Sequence, residues 1–393
     1  MRGLDVPAIT EDFTADPVEL FFDLAFVFAF SQLVYLLVHD PTWGGAAKAA
    51  LLFLIIWFAW STFTWAANAV SGNAREVRAI FLVATAASVP MSASITTAYG
   101  SGGGTFAICA SIIVAMAIGL QMWAMSGNGF DSDEFRTILT YGSPNIAAMS
   151  LLIIGGFLDE GPRTVLWILF VLAILAGMGI ARVGDWIVRP GHFAERHGLI
   201  IIIALGEVVV AIGLSVVTSL SDADGLPGET LVSLVAAGVM IGLLWWGYFD
   251  RLQPALEHRG EALEGRDRAH FVADVYTGFH IFIVGGVIVA AAATEEILLH
   301  PKDPVHTEFL VMFVAGIALF FGGIAAAVVR GYRVVAKERL TAVVAIAVLA
   351  YVGRSWDGVT FLIAVDVILF VTVVAEHVRI EAPSPAPAEQ PAS

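Results

Sequence analysis

The sequence predicts an all-α fold: a polytopic helical membrane protein of about twelve transmembrane helices. Three observations predict it. Of the 393 residues, 58% are hydrophobic and only 14% charged, with a mean hydropathy of +0.84; a soluble chain of this length needs far more polar surface. Apolar runs of about 20 residues, the length that crosses a hydrocarbon core, recur from end to end. Turn-forming segments separate them, among them Asp40-Pro41, Gly100 to Gly104, Gly161-Pro162, Ser221 to Gly228 and His300-Pro301.

The first span, 18–38, enters with Glu19 and Asp23 and passes Ser31 and Gln32. No basic region or small-residue cleavage site accompanies it, so it reads as a retained span. Spans at 46–69, 77–98 and 104–125 follow. The fifth, 137–157, contains Ser143-Pro144-Asn145, where proline kinks a helix and frees a carbonyl. The others fall at 163–183, 198–219, 230–250, 271–297, 308–330, 339–353 and 358–377. From Glu381 the chain is polar and rich in Pro and Ala, the composition of a disordered tail.

Basic residues give the orientation. Sixteen of the twenty Lys and Arg fall on the side of the N-terminus, and only Lys48, Arg163, Lys302 and Arg354 on the other. Short cytoplasmic loops concentrate Lys and Arg, so both termini are expected in the cytoplasm and the membrane is expected to be the plasma (inner) membrane. Acids in the opposite loops, such as Asp159, Glu160, Glu295 and Glu296, read as solvated loop residues in preference to a cation-attracting vestibule.

An internal repeat is legible. A shift of 176 positions sets Glu19 on Glu195 and Ser31 on Glu207. Val77-Arg-Ala-Ile-Phe81 echoes Asp267-Arg-Ala-His-Phe271, and Trp57, Trp60 and Trp65 echo Trp245 and Trp246. The sequence therefore predicts two six-span halves, 1–190 and 191–380, followed by the cytoplasmic tail 381–393. Six is even, so the halves share one orientation about an axis along the membrane normal.

A net charge of −15 speaks against nucleic-acid binding. One cysteine, Cys109, rules out internal disulfides and cysteine-based metal sites. The segment His192-Phe-Ala-Glu195-Arg196-His197 lacks the His spacing of a helical zinc site, and no phosphate loop, nucleophile elbow or dinucleotide fingerprint is present. No metal and no cofactor are expected.

Polar residues inside apolar spans are the functional candidates, because each is costly there. Glu207 lies about 18 Å beyond Glu195 along a helix, just past mid-membrane. It reads as a cation or proton site, or equally as a protonated acid bonded to a neighbouring helix. Asp23 and Glu19 share one helical face with Val27, Phe30 and Val34; Ser31 flanks that face and Gln32 points away. Glu19 reads best as a salt-bridge partner of Arg196 or Arg78. In span nine, His270, Asp274, Thr277 and His280 follow helical spacing, and a deep His280 could relay protons or simply pack. Asn68, Gln121, Asn145 and Asp366 are weaker candidates, and Arg354-Ser-Trp-Asp357 reads as an interfacial anchor.

The combination of Glu19-Leu-Phe-Phe-Asp23, Phe30-Ser-Gln32, His192-Phe-Ala-Glu-Arg-His-Gly-Leu199, Leu205-Gly-Glu207 and His280 closely resembles the bacterial low temperature requirement A (LtrA) family over essentially the whole chain. The resemblance implies a multi-span membrane protein whose motif positions are Glu19, Asp23, Gln32, Glu195, Arg196, His197, Glu207 and His280. Val208 departs from the pattern, in which serine commonly follows the Gly-Glu pair. Phe21-Phe-Asp23 is more distantly similar to potassium channels whose first helix carries a Phe-Ser-Asp motif, a likeness of fold alone.

These residues predict a transporter or channel for a cation or other small solute, with Asp23, Glu207, Ser31, Gln32, Asp274 and His280 along the pathway. The alternative is a membrane-embedded enzyme acting on lipids or lipid-linked groups at the cytoplasmic cluster Glu19, Glu195, Arg196 and His197. A non-catalytic scaffold is the third reading. The partners expected are the lipid bilayer and the solute, with self-association left open.

Overall fold

The computed structural model describes residues 15–70, 74–126, 133–181, 186–222 and 227–381; the predicted tail beyond 381 lies outside them. Among the described residues the chain is helical, and the only β pairing is an isolated bridge between Pro304 and Asp357. The helices are α1 (Pro17–His39), α2 (Trp43–Ala69), α3 (Arg75–Ala93), α4 (Gly103–Ser126), α5 (Asp133–Gly156), α6 (Glu160–Ala181) and α7 (Pro190–Asp222). They continue as α8 (Gly228–Phe249), α9 (Leu252–Glu261), α10 (Gly265–Val272), α11 (His280–Leu299), α12 (Thr307–Tyr332), α13 (Lys337–Val352) and α14 (Gly358–Glu381).

Nine helical segments among the described residues are long and apolar enough to cross a membrane. The other predicted spans are also helices: α5, whose apolar part is Pro144–Gly156, α7, and α13, which at 16 residues is short of the usual crossing length. Large apolar side chains such as Leu24, Val83, Leu172, Val235, Val344 and Phe370 are exposed. In water they would be a liability; against acyl chains they are solvated.

Local chemistry starts and stops these helices. Asp16 caps α1: its carboxylate accepts from the Val18 N–H, Pro17 occupies the first turn, and Glu19 reaches back to complete a capping box. Thr42 caps α2 by accepting from the Gly45 N–H at 3.0 Å. Before α14, Asp357 accepts from the Thr360 backbone N–H at 2.9 Å and its hydroxyl at 2.8 Å, which holds its carboxyl below the usual range. The span predicted at 77–98 ends as a helix at Ala93 and continues in a single 3₁₀ turn, Ile95–Thr97. There the Ser92 and Ser94 hydroxyls donate to the Ser88 and Met91 carbonyls, a local alternative to helical bonding.

Three features differ from the sequence-based expectation. Helix α7 begins at Pro190, not near 198, so His192 to His197 lie on its first two turns. A short amphipathic helix, α9, follows α8, where only a loop was expected. The ninth predicted span contains a π-helical stretch, Ala273–Phe279, between α10 and α11.

Helix α1 packs against α2, α3, α7 and α11. Glycines let α11 and α12 approach at backbone distance: a methyl group added at Gly286 would lie 2.5 Å from the Phe320 nitrogen, as expected of small-residue interfaces in membranes. At the end of the bundle opposite the α1 N-terminus, Arg163 is 5% exposed and gathers backbone carbonyls. It donates to Ala98 (2.6 Å), Gly100 (2.9 Å), Leu158 (2.7 Å), Gly155 (3.3 Å) and Gly156 (3.4 Å). It thereby satisfies the orphan carbonyls at the end of α5 and around the 3₁₀ turn. Arg163→Ala is expected to cost about 3 kcal/mol or more, because several buried carbonyls lose their donor. Thermal unfolding of the purified variant measures this, and an unchanged transition would refute it.

Candidate functional site

Helices α1 and α7 run parallel and in register. Ala15 meets Glu195, Glu19 and Asp23 meet Arg196, and Ser31 meets Glu207. Their sequence separations stay between 173 and 180, which only two parallel, side-by-side helices can maintain.

At the N-terminal end of this seam lies a buried ionic cluster. Arg196, on the second turn of α7, donates from Nε to Asp23 Oδ2 at 2.8 Å and from Nη2 to Oδ1 at 2.5 Å. Its Nη1 donates to Glu19 Oε2 at 2.5 Å. His192, one turn earlier on α7, sets Nε2 2.9 Å from the same Glu19 oxygen. From α2, Trp60 Nε1 donates to Asp23 Oδ1 at 2.7 Å. Arg196, Asp23 and His192 are fully buried and Glu19 is 1% exposed. Such a side-on guanidinium–carboxylate pair recovers much of the desolvation cost. Two carboxylates thus share one guanidinium, with the His192 ring set against Glu19.

Further along the same seam, the Ser31 hydroxyl donates to Glu207 Oε2 at 2.7 Å. Glu207 is 3% exposed. Glu295 of α11 lies within electrostatic range of it, and His39 at the end of α1 within range of Glu295. Between Ser31 and Asp23, about 12 Å along α1, the seam is apolar. Phe26 and Phe30 of α1, Phe53 and Trp57 of α2, and Ile200 and Ala204 of α7 are all buried there. The Phe30 and Phe53 rings lie 6.5 Å apart, and Phe53 and Trp57 6.1 Å.

The other predicted site residues are placed as follows. His280 Nδ1 lies 2.8 Å from the Val275 carbonyl, which can only accept, so that nitrogen carries the proton. The Tyr248 hydroxyl then donates to Nε2 at 2.7 Å. Both ring nitrogens are engaged, the arrangement of a packed neutral imidazole. His197 donates to the Phe193 carbonyl at 2.9 Å and packs among Trp60, Tyr276 and His280, with ring centroids about 5.0 Å away. Asp274 pairs with Arg330 of α12 at 2.8 Å. The π turn accounts for that: its wider turn breaks the i, i+4 register assumed from the sequence. Gln32 is half-buried and, among the described residues, joins no hydrogen bond across the α1–α7 seam.

The cytoplasmic cluster predicted from Glu19, Glu195, Arg196 and His197 does not converge as a unit. Successive helical residues point about 100° apart. Glu195 therefore accepts from the Ala15 N–H at 2.6 Å, Arg196 turns to α1, and His197 turns toward α2 and α11. Two partners were missed from the sequence, His192 and Trp60. The spacing of His192 four residues before Arg196 was the available signal for the first; for Trp60 no local signal exists.

Buried charge between parallel apolar helices, with lipid-facing side chains around them, defines a multi-pass helical membrane protein. The match to known proteins is more particular. The family model for the bacterial low temperature requirement A protein (LtrA) matches residues 14–374, and the chain belongs to that family. It is similar to uncharacterized protein RA0937 of Rhizobium meliloti (strain 1021), 28% identical over 328 residues, which cover 80% of this chain and 77% of that protein. No solved structure matches the chain.

Proposed function

We propose that this LtrA-family protein is a transporter or channel that moves a cation or proton along the α1–α7 seam. Its two six-helix halves, 1–190 and 191–380, meet at that seam, and both termini lie in the cytoplasm. The observation that carries the reading is the Ser31–Glu207 bond, a buried carboxylate whose hydrogen bond, among the described residues, comes from a hydroxyl in an apolar bundle. Such a group can take up and release a proton or a small cation without breaking an ion pair. The ionic cluster at Glu19, Asp23, Arg196 and His192 is the second station. A proton taken up by one of its carboxylates would change the net charge of a buried site.

The two-half organisation has independent support. Ser31 and Glu207 are separated by 176 residues, the same shift that aligns the two halves in sequence. Residues related by a two-fold axis touch one another only beside that axis, so the axis would pass between α1 and α7. Helix packing echoes the repeat as well: α1 on α3 and α7 on α11, α3 on α4 and α11 on α12, α5 on α6 and α13 on α14. The apolar zone around Phe30, Phe53 and Trp57 would then be the barrier of a closed state, relieved when the halves rock.

The enzyme reading has less support. Arg196 spends Nε, Nη1 and Nη2 on Glu19 and Asp23, so it has little left to offer a phosphate. Within the pathway, Asp274 and His280 act as structural partners of Arg330 and Tyr248 in this reading. Reconstitution into sealed liposomes with imposed H⁺, Na⁺ or K⁺ gradients tests the proposal. Flux above protein-free vesicles for one of these ions is expected; its absence for all three would overturn it.

A further inference from the structure

Away from the α1–α7 seam, a groove opens to the bilayer between the C-terminal ends of α8 and α14. Its volume is about 260 Å³. The walls are apolar, with Trp246 51%, Phe370 59% and Val374 42% exposed. Its deep end carries Arg339 from the first turn of α13, only 6% exposed. Arg339 donates from Nε and Nη2 to the two oxygens of Glu376, at 2.6 and 3.0 Å, and from Nη2 to the Gly247 carbonyl at 2.8 Å. Its third nitrogen, Nη1, is buried with no partner among the described residues. A buried guanidinium donor left open is costly, and an acceptor entering from the groove would relieve that cost.

The rim adds charges of both signs. Arg251 stands 3.3 Å from Asp250 and donates from Nη2 to His377 Nδ1 at 2.9 Å; all three line the groove with Arg339 and Glu376, and Arg251 and Asp250 are 33% and 43% exposed. Two guanidiniums and two carboxylates balance, so the groove has no net attraction for a plain anion. It suits a headgroup that carries both a phosphate and a hydrogen-bonding ammonium. The exposed Trp246 and Phe370 offer an acyl chain a surface continuous with the bilayer.

We infer that this groove binds the headgroup of a phosphatidylethanolamine molecule. The lipid phosphate accepts from Arg339 Nη1 and from Arg251, and its ammonium donates to Asp250. The acyl chain lies against Trp246 and Phe370. Basic pockets between membrane helices hold lipid headgroups by the same chemistry; the acids here select the zwitterion.

Native mass spectrometry of the full-length protein in detergent, titrated with phosphatidylethanolamine, phosphatidylcholine or phosphatidylglycerol of identical chains, tests this. Phosphatidylethanolamine adducts are expected to exceed the other two by about tenfold, the worth of one charge-assisted hydrogen bond. A choline headgroup fails because its quaternary nitrogen has no N–H to donate. Asp250→Asn, at an exposed position that leaves the fold intact, should abolish the preference over phosphatidylcholine. Arg339→Lys, which keeps the charge opposite Glu376, should weaken binding of both lipids. Equal binding of ethanolamine and choline lipids by the unaltered protein, stronger binding of phosphatidylglycerol, or an unchanged preference in Asp250→Asn would each overturn the inference.

Discussion

Arg196→Leu is expected to destabilise the protein by about 3–5 kcal/mol, the cost of leaving buried charge uncompensated. The substitution strands Asp23 and Glu19, 0% and 1% exposed, without the guanidinium that meets both of them. The penalty belongs to the stranded acids and not to the lost arginine. In a Glu19→Gln/Asp23→Asn background the same Arg196→Leu change should therefore cost far less. Thermal unfolding of the four proteins closes this cycle. Equal costs in the two backgrounds would show that the cluster is not coupled as described.

Glu207→Gln is expected to leave stability within about 1 kcal/mol, since the amide oxygen can still accept from Ser31. It should nevertheless cut ion or proton flux in liposomes at least about tenfold, because an amide neither titrates at neutral pH nor neutralises a cation. Ser31→Ala removes one hydrogen bond to Glu207 while keeping the carboxylate, so its effect on flux should be the smaller of the two. A folded Glu207→Gln protein with unaltered flux would reduce Glu207 to a packing residue.

The helical membrane class was legible because span length and hydropathy are properties of contiguous sequence. So were Glu19, Asp23, Arg196, Ser31 and Glu207, since each is a polar residue that apolar surroundings make expensive. Their pairing was legible only in part. One reading joined Glu19 to Arg196, but nothing local tied Asp23 to that arginine 173 residues away or to Trp60 on the next helix. The capping box at Asp16 and Glu19 that starts α1 is seen in the structure. The π-helical stretch was hidden because spacing arguments assume 3.6 residues per turn. Asp274 pairs with Arg330 of α12, a partner that spacing within span nine could not indicate. Helix α9 escaped because it is short, charged and held by tertiary bonds such as Gln253 to the Ala194 carbonyl at 3.1 Å.

If ions move along the α1–α7 seam as proposed, water must reach Ser31 and Glu207. Cys109 is the single cysteine, so Cys109→Ala gives a background without thiols. In that background, Ser31→Cys can be challenged in sealed vesicles with a charged, membrane-impermeant methanethiosulfonate. Thr42→Cys in the exposed turn after α1 serves as the reactive control. Ser31→Cys is expected to be modified, and its modification to block flux. A folded Ser31→Cys protein that stays unmodified while Thr42→Cys reacts would contradict the proposed pathway.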